Sequence, residues 1–220
     1  MRLFFFILTD SVQRLANMKK RLKQSFYVRE DVLQISKELL GKYLVSCFEG
    51  QKTGGKIVET EAYRAPDDKA CHAYQNLNTK RTSVMFERGG LAYVYLCYGV
   101  HHLFNVVTAK RGMAHAVLIR AIEPVDNLPL MLERRSKKII NRQLAGGPGV
   151  LSQALGITTR YSGCSLFEDS SHVWIEDRGE KLTEKEIIAS PRVGVAYAQE
   201  CALWNWRFRI IDSKWTSPAK

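Results

Sequence analysis

Val58-Glu59-Thr60-Glu61-Ala62-Tyr63 and, further along, Tyr93-Val94-Tyr95-Leu96-Cys97-Tyr98-Gly99 are the stretches on which the reading of this chain turns. Both have the composition of β-strands. In a strand, side chains two residues apart face the same way. The first stretch therefore places Glu59 and Glu61 on one face with Ile57 and Tyr63, and Val58, Thr60 and Ala62 on the other. The second places Tyr93 and Tyr95 together. Tyr98 falls beside Gly99, where a turn would push its ring outward. Two acids beside flat rings suit a carboxylate that activates water or steadies a cationic transition state next to a stacked ligand. An exposed polar edge and ordinary tyrosine packing in an antiparallel sheet account for the same residues.

Working outward, Asp31 is placed to cap a helix over residues 32–40, with Val32, Ile35 and Leu39 at helical spacing and Gly41 as its stop. Strands are expected at 43–48 and 56–63, joined by a turn at 51–55. The polar residues 64–83, with Pro66-Asp67-Asp68, read as a long ordered loop, a length that in compact domains usually serves function. Further strands are expected at 91–98, 103–108, 116–122, 173–175 and 206–211. Residues 124–135 read as a helix and the basic run at 134–138 as a solvated face. A short helix at 150–155 follows Gly146-Gly147-Pro148-Gly149. Strands outnumber helices and do not alternate with them. The fold class is α+β: a single compact domain with a curved, mainly antiparallel sheet and flanking helices.

The chain has 220 residues, enough for one domain with its own core. Lys and Arg number 33 against 22 Asp and Glu, a formal net charge of +11. Such a surplus favours a polyanionic partner, nucleic acid first. Five irregularly spaced cysteines, without a Cys-x-x-Cys pair, are neither a disulfide framework nor a zinc site, which fits a reducing compartment. The apolar run after Arg2 is short for a signal core and too short to span a bilayer. Residues 1–17 are expected to be an upstream extension, with Met18 as the working start and 18–220 as one domain.

Arg120, at the end of an apolar strand, is the natural counter-ion for one of the acids; a nearby cation favours an ionised carboxylate. Cys71-His72 and His101-His102 lack further ligand spacing, so structural or pocket-lining roles fit them better than metal binding. The glycine clusters lack the Lys-Ser/Thr ending of a nucleotide loop. A helix start after Gly149 still suits a phosphate.

At these residues the chain resembles the 3-methyladenine DNA glycosylases of the alkyladenine, or methylpurine, glycosylase family. The resemblance runs from about Leu39 to Ile211. Its marks are Glu59-Thr60-Glu61-Ala62-Tyr63, Ala70-Cys71-His72, Met85-Phe86, the tyrosine-rich strand to Gly99 and Asn105. They continue with Val117-Leu118-Ile119-Arg120-Ala121-Ile122-Glu123-Pro124, Gly147-Pro148-Gly149 with Gln153-Ala154-Leu155, and Pro191-Arg192-Val193-Gly194-Val195. It implies a sheet like that of formyltransferase C-terminal domains and a monofunctional enzyme that flips out alkylated or deaminated purines. It implies Glu61 as the base that activates water and Arg120 as its orienting partner. Tyr63 and His72 become stacking walls, with Tyr95 opposite. Asn105 gates the pocket, Met85 and Leu118 line it, and Tyr98 intercalates.

The resemblance assigns Glu59 no catalytic role. It implies double-stranded DNA with damaged purines as partner, no cofactor or metal, no membrane, a monomer, and a cytoplasmic, nucleoid-associated location in a bacterium. Val150 stands where a basic residue is expected, Trp204-Asn205-Trp206 diverges, and Cys71 and Met85 fall in the pocket region. Two other readings share parts of the pattern. One is a noncatalytic nucleic-acid-binding module of the same fold. The other is a carbohydrate hydrolase using Glu59 and Glu61 as an acid pair, which leaves the charge and the tyrosines unexplained.

Overall fold

A two-residue turn at Glu49-Gly50 sets the first hairpin. Both residues have positive φ, 53° and 75°, the backbone of the tight turn whose twist matches antiparallel strands. It joins β1 (Tyr43–Phe48) to β2 (Gln51–Arg64), with Phe48 opposite Gln51. The turn expected at 51–55 is therefore strand. Gly54 and Gly55 are there because a neighbour comes close: a Cβ on Gly55 would lie 2.6 Å from the carbonyl oxygen of Glu123. The computed structural model describes residues 20–216. The expected extension at 1–17 and the start at Met18 lie outside the described residues.

The other elements follow in chain order. Helices α1 (Gln24–Tyr27) and α2 (Val32–Leu39) precede the hairpin. Strands β3 (Ala92–Cys97), β4 (His101–Thr108) and β5 (His115–Asp126) follow it, then α3 (Leu128–Arg134) and α4 (Pro148–Leu155). Short strands β6 (Val173–Glu176), β7 (Ile187–Ser190) and β8 (Arg207–Ile210) complete the domain. The eight strands form one sheet, in the order β3-β4-β5-β2-β1-β6, with β8 on β2 and β7 on β8. Its pairings are antiparallel. The molecule is a single compact α+β domain, as the strand-rich sequence pattern implies.

Local chemistry explains the boundaries. Asp31 caps α2 by accepting from the Gln34 N–H at 2.9 Å, and Gly41, with φ of 78°, follows its end. The helix expected at 124–135 begins only at Leu128, capped by the Asn127 side chain. Glu123 and Pro124 instead continue β5, opposite Lys56 and Gly55, beside a register shift where a missing N–H is tolerated. β7, which pairs with β8, was not legible as a strand.

β2 is the axis of the site. It pairs with β5 along one edge; along the other it pairs with β1 and then, at Glu59–Glu61, with β8. Register shifts on either side of Glu59 interrupt the alternation. Ile57 consequently joins Ala62 in the main core instead of sharing the face of Glu61 and Tyr63. That core lies between the sheet and the helices and includes Ile35, Phe104, Ile119, Met131 and Leu155. A smaller cluster under the loop at 65–90 includes Cys71, Met85, Tyr93 and Ala116.

Candidate active site

Period-two alternation builds the cavity floor. On β5, Val117 and Ile119 enter the main core, while Ala116, Leu118 and Arg120 line a cavity of about 350 Å³. On β4, Phe104 is core and Leu103 and Asn105 face the cavity; on β3, Val94 is core and Tyr93 and Tyr95 face it. From β2 come Glu61 and Tyr63. Every residue expected at the site lines this one cavity: Glu61, Tyr63, His72, Met85, Tyr95, Tyr98, Asn105, Leu118 and Arg120. The volume lies near the small end of the roughly 300–1,000 Å³ common for ligand pockets.

Glu59 and Glu61 are both wholly buried, so the pair is not an exposed polar edge. Donors converge on Glu61. The Val193 N–H reaches Oε1 at 2.8 Å, the Tyr63 hydroxyl reaches Oε2 at 2.7 Å, and an Arg120 guanidinium nitrogen lies 3.3 Å from Oε1. Burial, and then the Glu61 charge, push the Tyr63 hydroxyl well above its ordinary pKa, so it remains a donor.

Glu59 does different work. Its Oε1 accepts from Arg120 Nε at 2.9 Å and from Arg207 Nε at 2.7 Å. It is absent from the cavity lining. Arg120 thus faces Glu61 because Glu59 holds its other edge. An acid pair working from both sides of a sugar is ruled out, since only Glu61 reaches the cavity. Glu59 is the support that sequence reasoning set aside, and Arg207 is one it did not find.

The aromatic walls differ in one respect from expectation. Tyr95 does not stand across a gap from His72: their rings meet edge to face at 4.6 Å and form one wall. His72 Nδ1 is 2.8 Å from the Tyr93 hydroxyl. Burial, with Arg81 adding to it, lowers the His72 pKa to about 4, so the imidazole is neutral at physiological pH. Tyr63 belongs to β2, apart from this wall. Asn105 is fixed by its Nδ2, which donates to the Tyr93 carbonyl at 3.0 Å. Tyr98 is 92% exposed at the β3–β4 turn, with φ of 51°, and Val100 beside it is 71% exposed.

Cys71 lies beneath the cavity, outside its lining, and burial pushes its thiol up to about 12. The five cysteines are free. His102 accepts from the Thr159 N–H at 3.2 Å, and the exposed His101 lies against Gly149 at the start of α4. Among the described residues no group of three or more His, Cys, Asp or Glu is arranged to hold a metal, and no helix is long and apolar enough to cross a membrane.

Several lining residues escaped the sequence reading. Arg81 lies over the Tyr95 ring at 5.3 Å, and no carboxylate pairs with it among the described residues. In the sequence it looks like one more charge in a polar loop. Val193 contributes a main-chain N–H, which has no side-chain signature. Tyr197, 66% exposed, completes the rim from a segment that comes near the site only on folding.

Comparison with known proteins agrees with this geometry. Residues 25–214 match the family model described as Methylpurine-DNA glycosylase. A Chlamydia abortus protein provisionally named 3-methyladenine DNA glycosylase is 47% identical over 190 residues, which cover 86% of this chain and 97% of its own. One from Chlamydia felis with the same name is 46% identical over 194 residues, 88% of this chain and 97% of its own. A Bacillus cereus protein so named is 46% identical over 190 residues, covering 84% and 92%. With the matched segment spanning the whole cavity, the chain belongs to the methylpurine-DNA glycosylase family, as a DNA-repair hydrolase that acts as a DNA glycosylase.

Proposed function

We propose that this enzyme is monofunctional and releases alkylated or deaminated purines, of the 3-methyladenine, 7-methylguanine and hypoxanthine class, from double-stranded DNA. The observation that carries this reading is the convergence of two hydrogen-bond donors and the Arg120 guanidinium on the Glu61 carboxylate at the floor of a ring-walled cavity. A carboxylate held that way is set to accept. It takes hydrogen bonds, and then a proton, from a water placed in the cavity, while its charge steadies the oxocarbenium-like sugar as the N-glycosidic bond breaks. The base leaves and an abasic site remains. Arg120 holds Glu61 in place.

The extruded purine enters between Tyr63 and the wall of His72 and Tyr95. The neutral imidazole places no positive charge against a cationic alkylpurine, and the tyrosine faces attract it. Asn105, with its amide locked to the backbone, disfavours the exocyclic amine of undamaged guanine. Tyr98 enters the stack as the nucleotide leaves, and its insertion offsets unpairing, which costs on the order of a few kcal/mol and least at weakened pairs. The start of α4, against His101 on the β4 side of the same turn, is placed to meet a backbone phosphate, although Val150 adds no charge there. The enzyme works without metal or cofactor, as a monomer, in the reducing cytoplasm where the chromosome lies.

The test is single-turnover base release from a duplex carrying one hypoxanthine or one methylated purine. Wild type should leave an alkali-labile abasic site. Glu61→Gln should bind the same duplex and release nothing on that timescale. Equal release by both proteins would remove Glu61 from the chemistry.

A further inference from the structure

Asp68 and Arg192 lie 124 positions apart in sequence, and both side chains are fully enclosed. Their contact is a fork: Arg192 donates to Asp68 Oδ2 at 2.5 Å and to Oδ1 at 2.7 Å. Burying two charges costs several kcal/mol each, and an apolar pair of similar volume is often as stable. Arg192 Nε, moreover, is buried without a hydrogen-bond partner. Stability alone is a poor reason for this arrangement.

The other contacts of Arg192 point to the site. It donates to the carbonyl of Ala62, the residue between Glu61 and Tyr63, at 2.8 Å. It donates to the Cys201 carbonyl at 3.1 Å, tying down the segment that carries Tyr197. The guanidinium lies 4.8 Å from the centre of the Tyr63 ring, with Trp206 at 5.2 Å. The next residue, Val193, supplies the N–H to Glu61 Oε1. Asp68 Oδ1 also accepts from the Ala70 N–H at the cavity wall. A planar guanidinium with five donors can hold all these directions at once; an ammonium cannot. Neither Asp68 nor Arg192 lines the cavity, so neither touches substrate.

We propose that Asp68 and Arg192 are a positioning pair that fixes the Glu61 carboxylate, through Ala62 and Val193, and the Tyr63 ring in one reactive arrangement. The divergent Trp206 takes part by flanking Arg192, with Arg64 5.1 Å from its ring. The proposal rests on the assignment of Glu61 as the group that activates water.

The experiment compares wild type, Asp68→Asn, Arg192→Lys and Glu61→Gln on a lesion duplex that wild type processes. Val173→Ala, in the core at the far edge of the sheet, serves as the destabilised control. Each protein is assayed well below its own Tm, for affinity and for single-turnover rate at saturating enzyme. Asp68→Asn should lose about tenfold to a hundredfold in rate, the scale of a small misplacement of a reacting group, with affinity changed far less. Arg192→Lys should lose at least as much, and Val173→Ala should keep the wild-type rate. A folded Asp68→Asn with the wild-type rate overturns the proposal. So does a loss that tracks Tm in all variants, or failure of both site variants to fold, since each leaves the pair a role in stability alone. Glu61→Gln with wild-type turnover would instead overturn the Glu61 assignment and this proposal with it, and is read separately.

Discussion

At the cavity floor, Glu59 and Glu61 are enclosed between β5 and β8, and each faces buried arginine. At the cavity rim, the β3–β4 turn carries Tyr98 and Val100 into solvent with almost nothing packed around them. The floor sets buried charges where each is held by a partner of opposite sign. The rim leaves an apolar ring unpartnered, so its surface is available when DNA arrives. Side chains are tightly held at the floor, and apolar area is left exposed at the rim.

The comparison breaks most visibly at Glu61. Replacing it by Gln should lower single-turnover base release by about a hundredfold to ten-thousandfold, the usual contribution of a general base, while gel-shift affinity for duplex holds. Glu59→Gln is the next test. It removes one carboxylate charge from beside Arg120 and Arg207, so we expect a stability loss of about 3 kcal/mol in urea unfolding, and activity falls with it as Arg120 loses its orientation. An unchanged midpoint would mean that the arginines are not held by Glu59.

Tyr98→Ala should behave in the opposite way. The melting temperature stays put because the ring is exposed, and base release from a well-paired duplex drops by about tenfold or more, the scale of 1–3 kcal/mol for one stacking contact. A lesion opposite a mismatch should suffer less, because extrusion is already cheaper there. Equal losses on both duplexes would place the ring in the chemistry instead of in the stack.

The smallest effect at neutral pH belongs to His72. Its folded pKa, about 4, lies below the ordinary 6.5. Between those values the unfolded chain takes up a proton that the folded chain refuses, so stability is full above pH 6.5 and falls as pH drops toward 4. His115, also lowered by burial, adds to the same slope. His72→Gln should flatten the acid side of a stability-versus-pH curve without abolishing its fall. An unaltered slope would mean that the ring is open to solvent in the free enzyme.

Much of the floor was legible because its period is simple. Side chains two apart on β3 and β5, and Glu61 with Tyr63 on β2, fall on one face, whereas the register shifts beside Glu59 were not legible. The hairpin turn was misplaced because Gly54-Gly55 looks like a turn, whereas Gly55 admits the backbone of β5 and Gly54 the Asp126 carboxylate. Pro124 suggested a helix start because a proline inside a strand is rare away from a register shift, and that shift arises only on pairing.

By itself the sequence determined the α+β class, the strand periodicity of the cavity floor and the excess of positive charge, since these are local patterns or properties of composition. Tertiary structure alone decided that Glu59 supports Arg120, that Arg207 and the Asp68–Arg192 pair lie behind the site, and that a main-chain N–H of Val193 meets Glu61. Those partners are separated by up to 148 residues, as for Arg207 and Glu59, and no periodicity links them. They meet because β2 is paired on both edges, and a charge enclosed there must find its counter-charge wherever in the chain the fold delivers one.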